Sequence, residues 1–231
     1  MKLSIIIPCK NEEKYIGVLL KSLTKEKLPK NTEIIIADAG STDKTLSIIN
    51  YYKCLLPNLS VIKGGLPSVG RNAGAKEASG DILLFLDADC YFKEPGIIRH
   101  SLVKILKGNE LVGSLLSIEK NPWVRLVYFF CNMVIRGSKF DKPFVVGTYM
   151  MITKEAFDRV CGFDESLMHC EDYFLSKEID SKKFSVVKRY VYTDDRRFKK
   201  LGTFKMIKYF INNTIKKNNK EYFKKDVGYW L

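Results

Sequence analysis

The sequence predicts an α/β protein, a mostly parallel sheet flanked by helices, followed by a C-terminal basic amphipathic helical tail. Three observations carry this. Short β-branched apolar runs alternate with longer stretches of helical periodicity through residues 3–86, the pattern of a sheet covered on both faces. Several of the apolar runs end in loops bearing proline, glycine or aspartate. The charge is lopsided. Of the net +13, residues 182–231 supply +11, with 15 Lys and Arg against 4 Asp and Glu.

Residues 3–7 read as a buried strand ended by Pro8, and residues 11–23 as a helix with Ile16, Leu19, Leu20 and Leu23 on one face. Residues 33–37 form the next strand. After the loop Asp38-Ala39-Gly40-Ser41, Ser41 or Thr42 is placed to cap a helix over 43–52. A strand over 59–63, a helix over 68–78 and a strand over 82–86 complete the regular part. Beyond Asp89 the pattern loosens. Helices are expected over 96–107, 122–137, 154–160 and 173–180, and strands over 111–118, 145–153 and 184–192. No internal repeat, low-complexity segment or linker divides the first 200 residues. The expected organisation is a domain over 1–200, in two halves over 1–92 and 93–200, and a tail over 201–231.

With 46% apolar and 28% charged residues, the chain has the composition of a folded protein, not a disordered one. Its six cysteines form no CxxC pair and no zinc-ligand spacing, which predicts reduced thiols. The first apolar run is too short for a secretory leader, and no run approaches the ~18–20 residues that span a bilayer. The expectation is a cytoplasmic protein, soluble or attached at the inner face of the membrane.

In an open parallel sheet, ligands gather outside the carboxyl ends of the strands. Asp38 follows the second strand, and Asp87 and Asp89 follow the fourth at spacing i, i+2. In extended backbone those two side chains project to one side. Paired hard oxygens suit Mg²⁺ or Mn²⁺, which take their remaining ligands from water and substrate phosphates. Such a cation stabilises the charge on a departing nucleoside diphosphate. A solvated turn explains many isolated Asp-x-Asp pairs; position after the run Ile82-Leu83-Leu84-Phe85-Leu86 is what gives this one content. Arg71 opens the preceding helix, where a guanidinium and the helix dipole favour a diphosphate; an exposed arginine near the cap is the plainer alternative. Glu171-Asp172 can supply the base that an attacking hydroxyl needs, or merely complement a helix dipole. His169 reads as a polar neighbour. The glycines spell neither G-x-G-x-x-G nor a P-loop, so dinucleotide and P-loop readings lose their fingerprints.

Together these pieces resemble one family, the inverting family-2 glycosyltransferases, whose Rossmann-like nucleotide-binding fold is of the A type. The run from Ser4 through Pro8, Asn11 and Glu12 is similar to that family's first strand and turn. Ala37-Asp38-Ala39-Gly40-Ser41-Thr42-Asp43 is similar to its second-strand motif. Gly70–Gly74 and 78–89 resemble the donor-site segment, and 162–167 with 171–175 the acceptor-site segment. The resemblance implies that Pro8, Asn11, Glu12 and Asp38 line a nucleoside pocket, with Asp38 reading the base. It places Arg71 near the diphosphate, Asp87 on ribose and metal, Asp89 as the main metal ligand, Asp172 as general base and Glu171 as acceptor support. Ala39 stands where the family usually has a second acid, which leaves base specificity open. Arg196-Arg197-Phe198 is loosely similar to the Gln-x-x-Arg-Trp element of processive relatives, without its glutamine and tryptophan; it is a diphosphate clamp or part of the basic surface.

The expected reaction moves a sugar from a nucleoside-diphosphate donor to a glycan hydroxyl or a polyprenyl-lipid phosphate. A non-catalytic sugar-nucleotide-binding or membrane-tethering module of the same fold is the alternative, and predicts binding without turnover. Nucleotidyl transfer is a third, but lacks a glycine- and lysine-rich triphosphate loop. In the tail, Phe204, Ile207, Tyr209, Phe210, Ile211 and Ile215 interleave with Lys205, Lys208, Lys216 and Lys217. Such a helix either packs on the core or lies on an anionic membrane. Nucleic acid is not the expected partner, since no nucleic-acid module accompanies it.

Overall fold

The computed structural model describes residues 1–225; the last six residues of the predicted tail lie outside the described residues. The elements run β1 (Leu3–Cys9), α1 (Ile16–Leu23), β2 (Glu33–Asp38), α2 (Thr45–Tyr52), β3 (Leu59–Lys63), α3 (Pro67–Glu77) and β4 (Ile82–Leu86). There follow α4 (Ile97–Leu106), β5 (Leu111–Ser117), α5 (Pro122–Gly137), β6 (Tyr149–Thr153), α6 (Lys154–Arg159), α7 (Glu171–Ser176) and β7 (Phe184–Tyr192). The C-terminal helices are α8 (Arg196–Leu201), α9 (Thr203–Ile215) and α10 (Lys220–Phe223).

The strands form one sheet in the order β3-β2-β1-β4-β6-β5-β7. β6 pairs antiparallel with both β4 and β5, while β7 is parallel to β5. Every described strand except β6 therefore points the same way, and the carboxyl ends of β1, β2, β4, β5 and β7 share one edge. The apolar runs lack alternation because both faces are covered. Ile5, Ile7, Ile34, Ile36 and Leu84 pack on the side of α1 and α4. Ile6, Ile35, Leu83 and Phe85 meet residues of α3, α6 and α7 on the other.

Several boundaries differ from the sequence reading, each for a local reason. β1 runs through Pro8 to Cys9. Cys9 offers its carbonyl to Ala39 on the β2 side, so by alternation the missing N–H of Pro8 faces β4, whose pairing ends at Ile6. The helix expected from residue 11 starts at Ile16, because Asn11 is left-handed (φ 52°) and spends its side chain on the Thr42 amide. The expected Ser41 or Thr42 cap does not form. Ser41 instead bonds Asp38 and Asn11, and α2 begins at Thr45. The strand expected over 145–153 starts only at Tyr149, and the helix expected over 173–180 is α7, which already includes Glu171 and Asp172. The helix over 122–137 forms as expected. Asn121 caps it by accepting from the Trp123 and Val124 amides, and Asn132 bonds both the amide and the carbonyl of Leu116. That second contact satisfies β5 beyond Gly113, where β6 no longer pairs with it.

The tail is not free. Met206 and Phe210 of α9 join Val124, Tyr128 and Phe198 in a small core, and Phe223 of α10 is fully buried against Leu167 and Phe174. His169 anchors this docking. It has no exposed surface, its Nδ1 lies 3.0 Å from the Tyr209 hydroxyl, and its ring lies 5.0 Å from that of Phe223.

α3 sits close on β1 because Gly74 lacks a Cβ; one added there would lie 2.4 Å from Ile6 Cγ2. Gly74→Ala should therefore destabilise the chain by about 1–3 kcal/mol through overpacking, despite roughly 1 kcal/mol gained in helix propensity. Urea unfolding measures this, and a variant at least as stable as the parent would show that Ile6 simply yields.

Candidate active site

Two loops form one wall of the site. The turn after β1 and the turn after β2 are stitched together, with the Asn11 amide on Ser41 Oγ (2.9 Å), the Thr42 amide on Asn11 Oδ1 (2.8 Å) and the Glu12 amide on Thr45 Oγ1 (2.8 Å). Pro8, Asn11, Glu12 and Asp38 are thereby brought to one place. Asp38 is buried and accepts from the Gly40 and Ser41 amides, so much of its hydrogen-bonding capacity holds its own turn.

At the centre is Arg71, 1% exposed. It lies in the second turn of α3, not at an open helix terminus. Its Nη2 donates to Asp87 at 2.7 Å and its Nη1 to Glu171 at 2.5 Å, and its guanidinium lies 5.4 Å from the ring centroid of Phe163. Burial alone would weaken its charge, but Asp87 and then Glu171 raise its affinity for the proton. Arg71 thus supports the carboxylates from beneath and ties the end of β4 to the start of α7.

Asp87 also accepts from the Thr148 hydroxyl at 3.1 Å. The segment before β6 contributes again through Gly147, whose amide donates to Asp172 at 2.7 Å. A Cβ on Gly147 would sit 2.6 Å from Arg71 Nη2. The sequence alone does not single out Gly147 or Thr148, because both lie inside the strand expected over 145–153. The available signal was a glycine within an apolar strand, which often marks close backbone approach.

Asp89 is nearly buried, and burial followed by the nearby Asp87 raises its pKa. Arg196 reaches it at 3.0 Å from the start of α8. The same guanidinium grips Glu12 with two bonds of 2.8 and 2.6 Å and lies 5.0 Å from the ring centroid of Tyr15. Burial pushes Glu12 up while Arg196 opposes the shift. The structure therefore joins Glu12, Asp89 and Arg196, with Arg197 adding a favourable charge on Asp89.

No cluster of three or more His, Cys, Asp or Glu side chains among the described residues could hold a metal by itself. The residues nevertheless fit a hard divalent cation. Asp87 and Asp89 present carboxylate oxygens at one strand end, the donor count that Mg²⁺ or Mn²⁺ takes from a protein when phosphates complete the shell.

Asp172 is partly buried and held by the Gly147 and Tyr173 amides. Burial and the adjacent Glu171 push its pKa up to about 7, the range suited to a base working at neutral pH. The thiols of Cys9 and Cys90, on either side of the site, are pushed up by burial and are not reactive candidates. Between the carboxyl ends of β5 and β7 and α5 opens a cleft of about 500 Å³, lined by Lys93, Glu119, Arg125, Phe129, Tyr190 and Tyr192 among others.

The sequence model described as "Glycosyl transferase family 2" matches residues 4–161. The chain belongs to this family. Among similar proteins is the poly(ribitol-phosphate) beta-N-acetylglucosaminyltransferase TarS of Staphylococcus aureus, 42% identical over 99 residues, 41% of this chain and 17% of that protein. A Bacillus spizizenii poly(ribitol-phosphate) beta-glucosyltransferase is 40% identical over 104 residues, 43% of this chain and 16% of its length. The chain thus spans less than a fifth of these relatives. Residues 1–349 of TarS, solved in complex with UDP-GlcNAc, superpose with a TM-score of 0.65 at 27% identity, covering 84% of this chain and 58% of that one. The fold also matches the mannosyltransferase PcManGT of Pyrobaculum calidifontis, solved with GDP-Man and Mn²⁺, at a TM-score of 0.63 and 19% identity, covering 82% and 56%. The family's nucleotide-binding fold of the A type is the architecture seen here.

Asp172 makes stability depend on pH in a definite direction. Its proton is held to about 7 in the folded chain but released near 4 when unfolded, roughly the model carboxylate value. The native state is therefore favoured below that lower value, and this contribution is lost as pH rises through 7. Asp172→Asn removes the dependence, so it should gain stability relative to the parent between pH 5 and pH 8, read by thermal unfolding across that range. A constant difference between the two proteins would assign the shift elsewhere.

Proposed function

We propose that the chain is a metal-dependent inverting glycosyltransferase that moves a sugar from a nucleoside-diphosphate donor to a glycan hydroxyl or a lipid-linked phosphate. The observation that carries this is the arrangement about Arg71, which ties Asp87 at the donor end of β4 to the segment bearing Asp172. Donor carboxylates and a base poised near neutrality thus face one sheet edge. The two stitched loops with Pro8, Asn11, Glu12 and Asp38 form the nucleoside wall. Uridine is the favoured base, since the relative solved with UDP-GlcNAc is also among the more similar in sequence. Two relatives that transfer different sugars leave the donor sugar open.

Asp172 takes the proton of an acceptor hydroxyl as its oxygen attacks the anomeric carbon from the face opposite the diphosphate. The bond from that carbon to the diphosphate breaks, and the new linkage has inverted configuration. A lipid phosphate is already nucleophilic, and for such an acceptor Asp172 has only to orient it. A divalent cation held by Asp89, with Asp87, would supply charge stabilisation to the leaving diphosphate. Arg196, which bonds Asp89 and Glu12 and keeps about a third of its side-chain surface open, would offer its positive charge to the diphosphate from the same edge. The cleft lined by Tyr190, Tyr192 and Phe129 lies at the same edge of the sheet and suits a sugar or polyol acceptor, whose apolar faces stack on aromatic rings.

Asp89→Ala should reduce transfer from UDP-sugars by about three orders of magnitude, as loss of a metal's transition-state stabilisation would do, and chelation should mimic it. Undiminished turnover with chelator present would remove the metal from the reading. With a hydroxyl acceptor, transfer should rise with pH through about 7 as Asp172 ionises. Asp172→Asn should abolish transfer yet keep the thermal shift given by UDP with Mn²⁺; unaltered turnover would reassign the base.

A further inference from the structure

α5 is apolar on both of its faces. Val124, Ile135 and Asn132 turn inward, while Trp123, Leu126, Phe129, Phe130, Met133 and Val134 lie exposed, Trp123 at 71%. A helix of this kind is normally covered on every side. α9 repeats the arrangement. Met206, Tyr209 and Phe210 share a small core with Val124 and Tyr128 of α5, with the Phe198 ring of α8 between Tyr128 and Phe210, and Phe204, Ile207, Ile211 and Ile215 form a second strip at i, i+3, i+7 and i+11, with Phe204 86% exposed. Scattered exposed apolar residues are ordinary on protein surfaces, but two helices that share a core and each bear such a strip offer a docking surface.

The charge around these strips selects the occupant. No carboxylate occurs between Lys120 and Asp141, nor between Asp195 and Glu221. Arg125, Arg136 and Lys139 flank the strip on α5, and Lys199, Lys200, Lys205, Lys208 and Lys216 accompany that on α9, all of them exposed. A second copy of the chain would bring one basic surface against another within a molecule of net charge +13. An anionic bilayer offers both complements, acyl chains for Trp123, Phe130, Phe204 and Ile211, and headgroup phosphates for the lysines and arginines. No helix among the described residues is long and apolar enough to cross a membrane, so the contact lies in the plane of the interface.

We infer that the exposed apolar strips of α5 and α9, with the basic residues around them, dock on an anionic lipid surface. The face is coupled to the site through α8. Arg196, its first residue, holds Asp89, while Phe198 of the same helix packs with Val124 and Met206.

The test is co-sedimentation of the full 231-residue chain with phosphatidylcholine vesicles that contain or lack phosphatidylglycerol, at low and high salt, beside sedimentation velocity without lipid. The chain should pellet with the anionic vesicles only, and salt should weaken this. Phe130→Glu with Phe204→Glu, and separately Lys205→Glu with Lys208→Glu, should each lower vesicle binding by about ten-fold or more without moving the unfolding midpoint. A chain that stays in the supernatant with both vesicle types, or binds neutral vesicles equally well, overturns the inference. So does a concentration-dependent dimer broken by Phe130→Glu with Phe204→Glu, which would make a second copy the occupant. Sugar transfer to a soluble acceptor is a separate readout, and its failure leaves the lipid result standing.

Discussion

The structure depends on one buried cation. Arg71 carries its charge into the interior from α3 and is matched there by Asp87 and Glu171. Removing one member of such a set strands the others, because a buried charge without its partner is strongly disfavoured. The set also spans the molecule, joining a helix and a strand end of the first half to a helix of the second. Gly147 has no side chain because the guanidinium occupies that space, and its amide then falls to Asp172. One guanidinium thereby fixes the position of three carboxylates, two by direct contact and one through the segment folded against it.

A second arginine performs a related task from the far end of the chain. Arg196 closes on Glu12 and Asp89, so the segment after β7 completes the edge laid down by β1 and β4. The two guanidiniums differ in exposure. Arg71 is sealed in, whereas Arg196 keeps about a third of its side-chain surface open. One sealed and one half-open cation thus neutralise the carboxylates of this edge.

The first four strands and their helices were legible because a continuous β-branched run has few alternatives to a doubly covered strand. Asp87 and Asp89 were legible because they terminate such a run. What escaped detection depended on partners distant in sequence. Nothing near Tyr149 says that β6 reverses direction, since that follows from where β4 and β5 leave room. Residues 11–15 carry a helical pattern, but hydrogen bonds from the next loop outcompete it. The sequence places Arg71 near a diphosphate, or else as an exposed arginine near a cap, and hides its burial because its two carboxylates lie 16 and 100 positions away. Likewise, His169 gave no sign that it would seat Tyr209 and Phe223.

The stitched loops after β1 and β2 have a consequence for recognition. Their amides and side chains are bonded to one another, so on the proposed reading of them as a nucleoside wall little would remain to be ordered when a planar ring settled against them. Folding would already have borne that entropy, and binding would keep more of its contact energy as affinity. The same rigidity would narrow choice. A wall that does not reshape itself would judge a ring by outline and by the few polar atoms left unengaged, and would tolerate a misfit poorly.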